Sequence, residues 1–172
     1  MSTIDERAGE VRVFTFKEGL LSAVAHDLEI AVTRFSITWD EGKTKVSATF
    51  DGASLKVLHA LSRGLPAPGA LSPRDLTKIE GNIASDVLRS RSDIRFESSS
   101  IAPESEGFEI RGALTLNART NDVTAHVRRE GDRWITEVAL DQPRWGITPY
   151  SAMMGTLKVK PEIRVRVSVP VA

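Results

Sequence analysis

Apolar and polar residues alternate with a strict period of two along the last part of the chain. Apolar residues occupy the odd-numbered positions from Leu157 to Val169, and charged or polar residues fill the even-numbered positions. Successive side chains of a β-strand point to opposite faces, so this period predicts a strand with one buried face. Pro161 has no backbone N–H and predicts an edge, bulge or bend there. A buried face this long needs an equally long partner, which closure into a barrel supplies.

Shorter segments have the same alternation. They are residues 11–16, 28–32, 35–39, 45–50, 108–116, 123–128 and 134–140. Turn-forming sequences such as Glu106-Gly107 separate several of them, and together they predict about eight strands. The alternation changes phase between Val32 and Phe35, which predicts a bulge or sharp bend within one long strand.

One segment has helical spacing instead. Its apolar stripe consists of Leu76, Ile79, Ile83 and Val87. Ser72 suits the N-cap position, Pro73 the first helical position, and Asp75 follows three residues after the cap, so a helix is predicted to begin here. The preceding residues 62–71, with several glycines and prolines, are either a rim or lid over a cavity or an ordinary surface loop.

Composition excludes several classes of function. A chain of 172 residues is long enough for one domain with a substantial core. Basic and acidic residues number 23 each, so net charge gives no reason to expect a nucleic acid partner. The absence of cysteine excludes disulfides and thiolate metal sites. No apolar run is long enough for a transmembrane segment and no signal peptide is visible, so the expected compartment is the cytoplasm.

The segment from Gly19 to Leu28 carries the most informative candidate chemistry. Apolar Leu21 and Val24 are expected to close or line one end of the barrel, and His26 and Asp27 follow them. The histidine is either a structural residue that hydrogen-bonds the backbone or a contact for the polar head group of a ligand. The other histidines do not stand at metal-ligand spacing, so no metal site is predicted.

No catalytic motif accompanies this pair. The chain has no Gly-x-Ser-x-Gly elbow, and the serines at 98–100 have no positioned base. Its glycine-rich stretches lack the lysine of a phosphate-binding loop. We therefore expect no catalytic residues and a protein that is not an enzyme.

Six segments carry a further signal in their order and spacing. They are residues 14–28, 76–83, 94–100, 112–116, 145–150 and 155–160. Taken together they resemble the YceI-like family, also described as a lipid- or polyisoprenoid-binding, lipocalin-like domain. Two features differ from the family pattern. Asn117-Ala118 stands where many relatives have His-Gly. Many relatives also carry a signal peptide and work in the periplasm, whereas no signal peptide is visible in this sequence.

The resemblance implies a mostly β fold. This fold is an extended antiparallel lipocalin-like barrel of about eight strands, with one main α-helix and a short helical segment. Residues 1–172 would form a single domain in which residues 1–9 are a flexible N-terminus. Family members hold a long amphiphile in an apolar tunnel, so the implied function is to bind and sequester or carry an isoprenoid, quinone or fatty-acid-like lipid.

The candidate ligand-binding residues are mostly apolar. They are Phe14, Phe16, Leu21, Val24, His26, Leu28, Ile30, Phe50, Phe96, Leu114, Leu116, Trp145, Met153, Met154 and Leu157. Small residues on inward phases (Ala48, Gly112 and Ala125) favour a hollow interior over a filled one. No cofactor is expected beyond such a ligand. The alternatives are a ligand-free structural or protein-interaction barrel, or an enzyme acting on a lipid or quinone, and a homodimer stays open.

Overall fold

Antiparallel strands dominate the computed structural model, which describes residues 1–18, 26–155 and 157–171. The strands are β1 Ser2–Asp5, β2 Glu10–Thr15, β3 Asp27–Val32, β4 Phe35–Trp39, β5 Val46–Asp51, β6 Leu55–Ser62, β7 Leu65–Ala67, β8 Asp93–Glu104, β9 Gly107–Leu116, β10 Arg119–Glu130, β11 Arg133–Asp141, β12 Ser151–Ala152, β13 Leu157–Lys158 and β14 Glu162–Pro170. Helix α1 is Pro73–Asn82, and a π-helical turn, Ile83–Val87, continues it. Short 3-10 turns lie at Gly52–Ser54, Gln142–Trp145 and Met153–Gly155.

The predicted mostly β class is confirmed, with more strands than the eight expected. One sheet of 12 strands has the order β1-β4-β5-β8-β9-β10-β11-β14-β2-β3-β6-β7, and β12 pairs with β13 separately. The larger number arises partly because two long chain paths bend, so that β3 and β4 count separately, as do β5 and β6. The first bend, at Thr33–Arg34, confirms the phase change predicted between Val32 and Phe35.

The two bent chain paths, β3–β4 and β5–β6, pair with each other as one hairpin that curls the sheet. The pair β3 and β6 lies near one end of the strand order, and the pair β4 and β5 lies near the other end. Backbone pairing continues through the corner, where Thr33 N donates to Ser54 O at 3.2 Å and Asp51 N donates to Arg34 O at 3.0 Å. The two ends of the ladder therefore meet at one hairpin, and the inward faces surround a shared interior.

The N-terminal residues, expected to be flexible, include strand β1. It pairs antiparallel with β4, with Ile4 opposite Ile37. β2 pairs with β3 but not with β4 after the bend, so β1 supplies the hydrogen-bond partner for that edge of β4. Ile4 and Phe35 crowd Gly9 so closely that an added Cβ would lie 3.0 Å from Ile4 Cγ2.

Helix α1 begins where the sequence predicts. Ser72 Oγ accepts from Asp75 N at 3.2 Å, and the Asp75 carboxylate accepts from Ser72 N at 3.0 Å, which is a capping box. The helix packs its apolar stripe on β3 and β6, where Leu28, Ile30 and Val57 are buried. No helix in the described ranges is long and apolar enough to cross a membrane.

We expect Ser72→Ala to lower the free energy of unfolding by about 1 kcal/mol, because removal of the hydroxyl leaves the Asp75 backbone N–H in the first turn without its acceptor. Urea denaturation measures the change. Thr77→Ala is the matched control, since its hydroxyl only donates to the Pro73 carbonyl within the helix. The control should stay within about 0.5 kcal/mol of the unsubstituted protein. Equal losses in both variants would contradict the capping role.

Candidate ligand-binding site

A cavity of about 630 Å³ lies inside the curled sheet. Its wall is made mostly of inward aliphatic side chains from the strands, joined by residues of α1. Val123, Ala125 and Val127 of β10 contribute to it, as does every second residue of β14 from Ile163 to Val169. A volume of about 300–1,000 Å³ with apolar walls is typical of small-molecule sites.

Small residues keep the interior open. Ala48 and Ala125 face the cavity from β5 and β10. Gly112 leaves room for the Phe96 ring, since an added Cβ would lie 2.6 Å from that ring and 2.3 Å from Glu97 O. A side chain at Gly112 would therefore displace the aromatic wall.

Aromatic side chains pack together at the end of the barrel remote from α1. Phe108 and Trp134 pack edge to face with ring centres 5.4 Å apart. The Lys43 ammonium lies 5.5 Å from the Phe108 ring centre and 5.7 Å from that of Trp134, a cation–π arrangement. A recess of about 150 Å³ at this end shares Trp134 with the main cavity.

Most polar lining residues gather at the opposite end, which we call the mouth. They come from the end of β2, the start of β3, helix α1 and the chain around β12 and β13. They are Thr15, His26, Asp75, Lys78, Asn82, Tyr150 and Lys158. Backbone hydrogen bonds hold these segments together: Glu18 N donates to Lys158 O at 3.0 Å, and Lys160 N donates to Phe16 O at 2.8 Å. Two further polar residues line the cavity and donate to backbone carbonyls: Thr136 Oγ1 to His126 O at 3.0 Å, and Gln142 Nε2 to Lys160 O at 3.1 Å.

His26 and Asp27 have different surroundings at the mouth. Asp27 Oδ1 accepts from Lys17 N at 2.8 Å and so holds the end of β2 against β3. His26 is half-buried and lines the cavity. Between described residues, no hydrogen bond involves the His26 ring. The geometry gives Asp27 a structural contact and leaves the imidazole facing the interior.

Of the candidate residues, eight contribute to the cavity wall. They are His26, Leu28, Ile30, Phe50, Phe96, Leu114, Leu116 and Leu157. Leu21 and Val24 lie outside the described residues, as does the side chain of Met153.

The structure places Phe14 and Phe16 outside the cavity. Val11, Val13 and Thr15 take the inward positions of β2, so residues 14 and 16 face the other side. The Arg166 guanidinium lies 5.2 Å from the Phe14 ring centre, and the Arg164 guanidinium lies 6.0 Å from that of Phe16. These rings therefore pack beneath arginines on the outer face.

Trp145 and Met154 also stand away from the cavity wall. Trp145 is 0% exposed, and its Nε1 donates to Leu114 O at 3.0 Å, so it belongs to the packed core behind the wall. Met154 has a left-handed backbone at φ 57°, and its side chain is fully exposed. The turn Met153–Gly155 carries this side chain outward.

Several mouth residues are not among the ligand-binding residues predicted from the sequence. Thr15 continues the inward alternation of Val11 and Val13, which was a usable signal. Lys78 and Asn82 lie one turn apart on α1. Lys158 and Tyr150 join them only through the pairing of distant segments. Tyr150 Oη accepts from Asn82 Nδ2 at 3.1 Å, a contact 68 residues apart in sequence.

A group of possible metal ligands lies away from the cavity, on the outer face of β8–β10. Among the described residues, Glu104, Glu109 and His126 bring ligand atoms within 4.8 Å of one another. His126 Nδ1 lies 2.9 Å from a Glu104 oxygen, and Arg111 Nε donates to Glu109 at 2.7 Å. These groups are already paired at the surface, and we assign no metal to them.

A curled antiparallel sheet around an apolar cavity, with a helix at one end, defines a barrel-like class of protein. The model of the YceI-like domain matches residues 3–171, so the chain belongs to the YceI-like family. This confirms the resemblance of the six sequence segments. No curated protein matches the sequence significantly.

Solved structures share the fold. BcnA from Burkholderia cenocepacia is similar with a TM-score of 0.65, over 96% of this chain and 98% of that chain, at 18% sequence identity. The YCEI protein from Campylobacter jejuni is similar with a TM-score of 0.57, over 90% of this chain and 87% of that chain, at 13% identity. At these identities the likeness establishes the fold.

Proposed function

We propose that the protein binds an apolar or amphiphilic small molecule in its cavity and sequesters or carries it. The observation that carries this proposal is the apolar interior of about 630 Å³ with most of its polar residues gathered at one mouth. The ligand is an isoprenoid, a quinone or a fatty-acid-like lipid, with its chain inside and its polar end at the mouth. Each buried methylene contributes about 0.8 kcal/mol, offset by the cost of ordering the chain.

The same geometry supports binding over catalysis. Among the lining residues that the structure describes, the side-chain contact between polar groups at the mouth is the Asn82–Tyr150 hydrogen bond. An amide that donates to a phenol is not a nucleophile paired with a general base, so this contact gives no sign of catalysis. An open interior also favours a ligand over the alternative of a filled structural barrel.

Native mass spectrometry of the purified protein tests the proposal, followed by organic extraction and identification of released species. We expect a bound species, or uptake of an added isoprenoid quinone or fatty acid at one molecule per chain. A protein that carries nothing and takes up neither class of lipid would overturn the proposal.

His26 is proposed to contact the head group. His26→Ala should weaken binding of a polar-headed ligand by about fivefold, and should leave a plain hydrocarbon of the same length nearly unaffected. Competition against a fluorescent apolar probe measures both affinities. Equal weakening of both ligands would show instead that His26 acts through the fold.

A further inference from the structure

The mouth presents hydrogen-bond donors to the cavity. The Lys78 and Lys158 ammonium groups each carry three N–H donors and a positive charge. In the described ranges, neither lies within ion-pair distance of a carboxylate. Lys158 lies over the turn at Gly155, where an added Cβ would be 3.9 Å from its Nζ. Tyr150 Oη accepts from Asn82, so its own O–H proton is available to another acceptor.

The carboxylates around the mouth are engaged elsewhere. Asp75, the acidic residue among the described lining residues, accepts from Ser72 N, and this bond is the main reason that its pKa lies below the ordinary value. Lys78, one helical turn away, lowers that pKa further by its charge. Asp27 accepts from Lys17 N, and Glu80 accepts from Val57 N at 2.9 Å. The mouth therefore has unused donors, while each of these three carboxylates already accepts a hydrogen bond from the backbone.

Thr15 adds an unpartnered polar atom at the same end. Its hydroxyl oxygen is buried and has no hydrogen-bond partner among the residues described. A buried hydroxyl without a partner is costly, and it lines the cavity close to the start of β3, opposite Leu28. An acceptor atom on a ligand would satisfy it.

We propose that the polar end of the ligand is an anion, a carboxylate or a phosphate monoester on a single apolar chain, held by Lys78 and Lys158. Tyr150 and Thr15 donate hydrogen bonds to the same group. This inference rests on the proposed binding function and specifies the class of ligand within it. The two lysines exceed the single Asp75 in charge, and charge-assisted hydrogen bonds to an anion are stronger than neutral ones.

Competition between ligands of one chain length tests the proposal. Dodecanoate, dodecyl phosphate, dodecanol and dodecylamine would each displace a neutral fluorescent apolar probe from the cavity, at a pH where both acids are ionised. We expect at least one of the two anions to bind about fivefold more tightly than dodecanol, and dodecylamine to bind more weakly. The better anion identifies the head group as carboxylate or phosphate.

Substitutions then assign the preference to the lysines. The double variant Lys78→Met, Lys158→Met should bind the anions no more tightly than it binds dodecanol. Lys56→Met is the matched control, because Lys56 is exposed on β6 and does not line the cavity. Thermal unfolding verifies that all variants are folded.

The outcomes separate this inference from the proposed function. If dodecanol binds as tightly as both anions, or dodecylamine binds best, the anion proposal is overturned and the binding function stands. An anion preference that survives the double substitution also overturns the role of the two lysines. If none of the four amphiphiles displaces the probe and native mass spectrometry finds no bound lipid, the binding function itself fails.

Discussion

Replacing Trp145 by alanine is expected to lower the free energy of unfolding by about 3–5 kcal/mol. The indole is 0% exposed and packs with Leu114, Leu140 and Ile147. Its loss removes a large buried apolar surface and leaves the Leu114 carbonyl without its indole donor. Asn117, in the β9–β10 turn, donates from its Nδ2 to the backbone carbonyl of Trp145 at 2.9 Å and so ties that turn to the core. Urea denaturation measures the effect.

The matched substitution is Trp145→Phe, which keeps one aromatic ring in the core and removes the five-membered ring of the indole together with its N–H. It should cost about 1–3 kcal/mol, because a buried carbonyl loses its partner. If Trp145→Ala were as stable as Trp145→Phe, the core would have collapsed around the smaller residue. An unchanged unfolding midpoint in both variants would contradict the assignment of Trp145 to the packed core.

Ala125→Phe is expected to weaken binding of an apolar chain at least about tenfold, because the new ring would enter the cavity. Ala125 lies in the middle of β10, opposite Ile110, and its methyl group faces the interior. The open volume accommodates the ring with less strain than a filled core would. Fluorescence titration with an apolar probe measures the affinity.

Thr124→Phe is the control for this substitution. Thr124 is the neighbouring residue on β10, and it is exposed on the opposite face of the strand. The same ring placed there should leave the affinity within about twofold of the unsubstituted protein. If both variants bind the probe equally well, the probe does not occupy the cavity described above.

Much of the fold could be predicted from local patterns. The alternation in β14, the phase change before Phe35 and the capping box at Ser72 each depend on neighbouring residues, and the structure confirms each of them. Strand β1 could not be predicted in this way, because its pairing depends on the bend that takes β4 away from β2, the neighbour of β3.

The cavity wall was harder to predict because hydrophobicity does not distinguish a cavity from other apolar environments. Phe14 and Phe16 are aromatic, yet the inward phase of β2 belongs to smaller residues. Their rings are covered by arginines of β14, a neighbour that the local sequence does not specify. Trp145 is buried in the packed core behind the wall, and burial alone gives no sign of which side faces the cavity.

The mouth depends on contacts between distant segments. Lys78 and Lys158 are ordinary charged residues in the sequence, one on a helix and the other in a two-residue strand. They reach the same cavity because α1 lies across β6 and the segment after β13 pairs beside β2. Only His26 was singled out from this group, because it directly follows an apolar segment.

Nuclear Overhauser effects between a bound lipid chain and the protein's methyl groups would show whether the chain lies inside the cavity. With a fatty acid or isoprenoid quinone added to methyl-labelled protein, the chain should give contacts to Leu28, Leu114 and Val165 of the wall. The exposed Leu65 and Met154 should give none along the buried part of the chain. Contacts only to such exposed methyl groups, with none to the wall, would contradict binding of the chain in the cavity.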